Sequence, residues 1–167
     1  MANLATADHA AQGNSARGRS PYLVQNTIDI AAAIVLKGSD FAANDTMEVL
    51  NVPAGTVILS AGIEIITQLD GTCTLDMGFT GASPAAIDVF VDGLDVVGGA
   101  VGSYGTTPAT EAAQVQVISS DDTIDVKFAT ETDVTSGKLR FWALLMDVSD
   151  MGSHDMIAAE VDRDLLA

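Results

Sequence analysis

Beyond its carboxylates, this 167-residue chain offers two histidines and one cysteine for nucleophilic or metal chemistry. A serine or cysteine nucleophile needs a histidine base at its side and a carboxylate to orient that base. His9 lies among the Ala-, Ser- and Gly-rich first twenty residues and His154 near the end of the chain, so neither belongs to the apolar body. One cysteine and two distant histidines do not make the closely spaced ligand pairs of a zinc site. The Walker-type phosphate loop and the GxGxxG turn of dinucleotide sites are both missing. Gly98-Gly99-Ala100-Val101-Gly102 reads as a flexible loop. Two acid clusters, Asp88, Asp92 and Asp95, and Asp121, Asp122 and Asp125, could turn oxygens toward calcium, but neither keeps EF-hand spacing. A glycosidase pair would face across a cleft lined with aromatics, and aromatics are 5% of this chain. These residues do not describe an enzyme, and no cofactor or resident metal is expected.

The elements that would position any site are apolar and short. Hydrophobic residues make up 48% of the chain and charged ones 18%, yet no run approaches the roughly 20 unbroken apolar residues of a membrane helix. The surplus apolar surface is expected to be buried between subunits. Twenty-three acidic residues against seven basic ones give a net charge of −16, which disfavours nucleic acid and anionic membranes as partners. Residues 1–20 carry Arg17 and Arg19 against Asp8, leaving −17 on the remainder. Such a basic arm can lie across its own acidic neighbours or across a partner. It has no apolar core of the signal-peptide kind, so synthesis in the cytoplasm is the expectation.

Strand signals follow one another from Pro21 onward. Tyr22 to Ile30 gives a first strand, and Ala31 to Lys37 stays apolar until Gly38-Ser39-Asp40 breaks it. Thr46 to Val52 alternates well enough for a third strand after these two. Val52-Pro53-Ala54-Gly55 then releases a long run from Thr56 to Gln68 rich in β-branched residues, with Gly62 placed for a bulge or a close backbone approach. Leu69-Asp70-Gly71 reads as a tight hairpin turn, after which Thr72 to Phe79 should run back beside the long strand. Cys73, on one face with Leu75 and Met77, reads as a small core hydrophobe. Thr80 to Gly98 is less regular, with Asp88, Asp92 and Asp95 around Val89-Phe90-Val91, and Val96 to Thr110 reads as a Gly-, Ser- and Thr-rich loop, with Tyr104 set to touch something external. Gln114 to Val117, Thr123 to Phe128 and Leu139 to Val148 complete about eight strands, and Trp142 in the last is expected in the core. Closely spaced strands with no long helix between them predict an antiparallel β-sandwich of jelly-roll type, all-β. The expected organisation is an extended arm over 1–20, a sandwich over 21–148 and a tail over 149–167, in which Asp155 can cap a short helix.

This pattern resembles the small jelly-roll decoration, or cement, proteins on the heads of tailed bacteriophages. The likeness is carried by Tyr22-Leu23-Val24 with Ile28-Asp29 after a small-residue arm, and by Val52-Pro53-Ala54-Gly55-Thr56-Val57. It continues through Leu75-Asp76-Met77-Gly78-Phe79, Phe90-Val91-Asp92-Gly93-Leu94-Asp95 and the closing strand Leu139 to Leu145. It spans residues 21–148; the segment 149–167 stands outside it. The resemblance implies a homotrimer on the outer face of the phage head, at local three-fold positions, bridging neighbouring major capsid proteins against the pressure of packaged DNA. Under it, Arg17, Arg19 and Tyr22 are expected at capsid or inter-protomer contacts. A head-fibre, tail or baseplate component, or a carbohydrate- or calcium-binding sandwich using the Asp88, Asp92 and Asp95 loop, are the alternatives.

Overall fold

The computed structural model of the chain describes residues 3–5, 21–80, 86–104 and 117–148. In chain order these residues form β1 (Asn3–Ala5), β2 (Tyr22–Asp29), α1 (Ile30–Lys37), β3 (Thr46–Val52), β4 (Thr56–Thr67), β5 (Thr72–Gly78), β6 (Val91–Asp95), β7 (Gly102–Tyr104), β8 (Asp122–Thr132) and β9 (Lys138–Asp147).

The pairing from β2 onward is nested: β2 with β9, β3 with β8, β4 with β7 and β5 with β6, all antiparallel. A chain paired this way is one long hairpin. Rolling it up lets β9 also bond β4 and β8 also bond β5, which closes two sheets, β2-β9-β4-β7 and β3-β8-β5-β6, face to face. That is the jelly-roll architecture expected from the sequence. β1 adds a ninth strand, parallel to β3 at the edge of the second sheet, so part of the arm belongs to the sandwich. The rest of residues 1–20, and the whole of 149–167, lie outside the described residues.

Three sequence expectations change. Ala31 to Lys37 is a helix. Asp29 caps it, its Oδ1 accepting from the Ala32 N–H at 3.3 Å, and Gly38 ends it with φ 78°, the left-handed region that suits a residue without a side chain. The alanines that an extended reading treated as strand are strong helix formers, and a capping aspartate stands just before them. The Asp-Gly turn, in turn, joins the two sheets instead of making a hairpin. Gly71 takes φ 71°, as foreseen, but β5 pairs with β6 and β8, not with β4. Asp70 fixes this corner by accepting from the Thr135 N–H (2.8 Å), the Thr135 hydroxyl (2.6 Å) and the Ser136 N–H (2.9 Å). Finally, residues 114–116 lie outside the described residues, while Val117 makes an isolated bridge to Val57. On its edge away from β9, β4 pairs with β7, inside the stretch read as a loop.

Alternation along β9 shows where the core sits. Leu139, Phe141, Ala143 and Leu145 are fully buried and face Ala61, Ile63 and Ile65 of β4 on the same layer. Met47, Leu75, Met77, Ile124, Val126 and Phe128 fill the opposing layer. Burying each such side chain contributes about 1.5–3 kcal/mol. Phe41 stacks on Phe128 with centroids 4.2 Å apart, and Phe79 meets Phe90 edge-on at 5.5 Å. Cys73 lies in this core, as expected.

Candidate interaction surfaces

β-sheet alternation sends every second residue outward, so each sheet presents a second face, and the two differ in chemistry. On the β3-β8-β5-β6 sheet the register places Glu48 across from Asp125, and Lys127 across from Asp76. Asp125 is nearly closed off from solvent. It accepts from the Thr80 N–H and hydroxyl and, at 2.6 Å, from the Thr123 hydroxyl. Burial nonetheless raises its pKa against those hydrogen bonds, and the charge of Glu48 adds to the rise. Asp76 receives the Gly93 N–H at 2.9 Å and lies 3.7 Å from the Lys127 ammonium. This face is polar and acidic.

The outer face of the β2-β9-β4-β7 sheet is different. Its rows read Leu23, Leu144 and Ser60, then Gln25, Trp142 and Gly62, then Thr27, Arg140 and Glu64. Its charges cancel in pairs at one end: Arg140 with Glu64 at 2.9 Å, and Lys138 with Asp29 at 3.5 Å. Toward the other end it is apolar, with Leu23 59% and Leu59 39% exposed. Leu59 faces out because a bulge between Ile58 and Ser60 shifts the register there. The bulges of β4 therefore fall at this point and between Ile65 and Thr67, and Gly62 lies buried across from Trp142 with no bulge of its own. Trp142 is not a core residue: it alternates with the inward Phe141 and Ala143 and lies half-buried on the outside. Its indole Nε1 is buried with no hydrogen-bond partner among the described residues.

A second apolar surface belongs to α1. Ile30 and Ala33 turn into the core, leaving Ala31, Ala32, Val35 and Leu36 on one exposed face, with Val35 80% and Leu36 73% accessible. Lys37 cannot dilute that face, because its ammonium is drawn back under the helix end, 2.9 Å from Asp45 and 5.1 Å from the Phe41 ring centre.

Of the contact residues expected from the sequence, Arg17 and Arg19 lie outside the described residues. Tyr22 starts β2 and packs against the core. Burial raises the pKa of its phenol, opposed by a hydrogen bond with the Thr56 side chain and assisted by the charge of Asp147. The acid clusters do not converge: among the described residues no three His, Cys, Asp or Glu side chains gather as metal ligands. Asp95 instead accepts from the Val97 (2.9 Å) and Gly98 (2.7 Å) N–H groups, which lower its pKa. Asp121 accepts from the Ala54 N–H at 2.9 Å. No helix among the described residues is long and apolar enough to cross a membrane.

Chains of solved phage capsids share this fold. Similarity to a chain of the cyanophage Pam1 capsid asymmetric unit runs over 84% of this chain and 94% of that one, at 16% identity and a TM-score of 0.56. A chain in the capsid of Ralstonia phage GP4 matches over 85% and 88%, at 20% identity and a TM-score of 0.57. One in the acidic stable capsid of Helicobacter pylori bacteriophage KHP30 matches over 77% and 89%, at 13% identity and a TM-score of 0.52. At such identities the likeness is one of fold, and it agrees with the resemblance to phage-head proteins carried by the strand and turn residues. No family model and no curated protein matches the sequence.

The apolar faces were the part that sequence reading missed. A signal for the first was present: alanines followed by Ile34-Val35-Leu36, after a capping Asp29 and before Gly38, spell a helix that one strand surface cannot bury all round. Trp142 could not be assigned to a face until the register of β9 was fixed.

Proposed function

We propose that this protein is a structural virion component of a tailed bacteriophage, a decoration protein on the outer surface of the head. On this reading it is made in the host cytoplasm, assembles as a homotrimer, binds neighbouring major capsid proteins and stabilises the shell by bridging them. The observation that carries the reading is the fold likeness to chains of three phage capsids, each covered over 88% or more of its length. Two features of the chain support it. Exposed apolar faces on α1 and on the β2-β9-β4-β7 sheet suit contacts that need no chemistry, and symmetry multiplies every weak contact across a shell. The arm leading into Tyr22, with Arg17 and Arg19, supplies the basic charge that an acidic body lacks for reaching an acidic neighbour.

The test is imaging of purified phage particles by electron cryomicroscopy, with gold-labelled antibody to the chain on the same grids. Density for the jelly roll at local three-fold positions outside the shell is the expected result. Density confined to a fibre, tail or baseplate would move the protein elsewhere in the virion, and its absence from particles would end the reading. Light scattering behind a sizing column should give about 52 kDa, three times the 17.2 kDa chain. Replacing Arg17 and Arg19 together by Glu spares β1 and should lower occupancy on stripped heads; unchanged occupancy would remove the arm from the contact.

A further inference from the structure

Closed symmetry sets what a trimer needs. A patch that meets its own copy across a two-fold axis closes a dimer, whereas a ring of three takes two different patches on each chain, the first of one copy meeting the second of the next. This chain exposes two apolar patches of unlike shape, the convex side of a helix and the flat side of a sheet. We propose that the α1 face of one protomer, led by Val35 and Leu36, packs on the outer face of the β2-β9-β4-β7 sheet of the next, against Leu23, Leu59, Trp142 and Leu144. The proposal rests on the homotrimer put forward above and names the contact that closes it.

The two patches do not meet within one chain. α1 begins past Asp29, and the run of β2 from Leu23 to Asp29, roughly 20 Å, separates it from the apolar end of the sheet. The helix is fixed in that place. Ile30 and Ala33 are held in the core, Asp29 caps the first turn, and Lys37 is paired with Asp45 at 2.9 Å. Val35, Leu36 and Leu23 are accordingly all exposed in the single chain. A helix laid on a sheet is a standard way for two layers to bury apolar surface. Here the helix has to come from another copy.

Charge selects a second copy as the occupant. The chain carries −16, and the lysines and arginine among the described residues, Lys37, Lys127, Lys138 and Arg140, are each matched to a carboxylate of the same chain. Two copies therefore repel wherever their carboxylates would face each other, as across the outer face around Glu48 and Asp125. The exposed side of α1, Ala31, Ala32, Val35 and Leu36, has no ionisable side chain. The rows Leu23-Leu144-Ser60 and Gln25-Trp142-Gly62 have none either. A basic partner would be drawn to the acidic sheet, whereas another acidic chain can approach only where both surfaces are neutral.

Trp142 is the only tryptophan of the chain, and the rows of Arg140 and Lys138 separate it from α1, so it reads contact between copies. The experiment compares the parent with two full-length variants, Val35→Glu with Leu36→Glu on the helix face and Leu23→Glu with Leu59→Glu on the sheet face. Light scattering should give a trimer for the parent and a single chain for each variant alone. In the helix-face variant Trp142 should emit at longer wavelength and be quenched several-fold more by acrylamide than in the parent, although neither substitution touches it within the chain. Mixing the two variants should restore one contact, between the intact helix face of one and the intact sheet face of the other, read as a species of two chains. Far-ultraviolet circular dichroism checks that each variant is folded. If a glutamate variant does not fold, Val35→Ala with Leu36→Ala keeps good helix formers and should raise the concentration at which the trimer dissociates several-fold. A trimer kept by either folded glutamate variant, or unaltered by the alanine pair, would overturn this contact and leave the trimer standing. Variants that are monomeric alone and do not combine on mixing would overturn it too. A monomeric parent would remove the trimer and the contact together.

Discussion

Burial makes Cys73 a core residue and not a reagent. Removal from water pushes its thiol up to about 12, with the charges of Glu131 and Asp95 adding to the rise. Because the thiolate is the reactive form, a disulfide reagent should label no cysteine in the native protein and one after denaturation, as a thiol titration in each state would read. Asp70 and Asp125 carry opposite shifts. Donors from Thr135 and Ser136 hold the Asp70 carboxyl well below the usual carboxylate range. Its stabilising contribution is therefore present above the unfolded-state value of about 4 and is lost as pH falls toward the folded one. Asp70→Ala should lower the melting temperature by a few degrees at pH 7, and the gap to the parent should narrow below about pH 4. Asp125, raised by burial, costs stability while ionised, and that cost is relieved as pH falls through its folded pKa. Melting curves recorded from pH 7 to pH 2 on both parent and variant check the two signs together.

Among the elements, α1 stands on two ends and a buried ion pair. Lys37 and Asp45 have side chains 5% and 10% exposed and lie 2.9 Å apart. Removing the cation leaves a buried carboxylate without it, so Lys37→Ala should cost about 3 kcal/mol in denaturant unfolding. Asp29→Ala, which removes only the cap, should cost about 1 kcal/mol. Phe128→Ala takes out a ring that β8 packs on Phe41 between the sheets, and should cost about 3–5 kcal/mol. Sequence alone marked several of the element boundaries with recognisable residues, Pro21, Asp45, Pro53 and Gly71 among them. It could not choose helix over strand for Ala31 to Lys37, since an eight-residue apolar run satisfies both periods; packing of only Ile30 and Ala33 against the sandwich settles it.

For the whole molecule the useful quantity is the difference between stability and assembly. Val35→Glu with Leu36→Glu changes two residues that are mostly in water, so unfolding free energy should move by no more than about 0.5 kcal/mol. Under the proposed virion role the same variant should lose trimer in light scattering or occupancy on heads. Unchanged trimer mass and unchanged occupancy would leave that face without a role. The nested pairing of β2 with β9 and β3 with β8 joins residues over a hundred and about seventy to eighty positions apart. Such non-local closure predicts folding in milliseconds to seconds, readable by stopped-flow refolding.

By itself the sequence determined the β-rich class, the turn positions, the core faces of the alternating strands and the acidic charge, because these follow from side-chain type and a period of two. What only the tertiary structure decided were the partners. Asp70-Gly71 makes a corner between sheets instead of a hairpin because Thr135 and Ser136, more than sixty residues away, supply the hydrogen-bond donors. Trp142 faces outward because β9 is bonded on both sides, and its register against Gln25 and Gly62 assigns the inward face to Phe141 and Ala143. Local residues specify how the backbone bends; which strand lies beside it depends on burial and pairing that no local stretch contains.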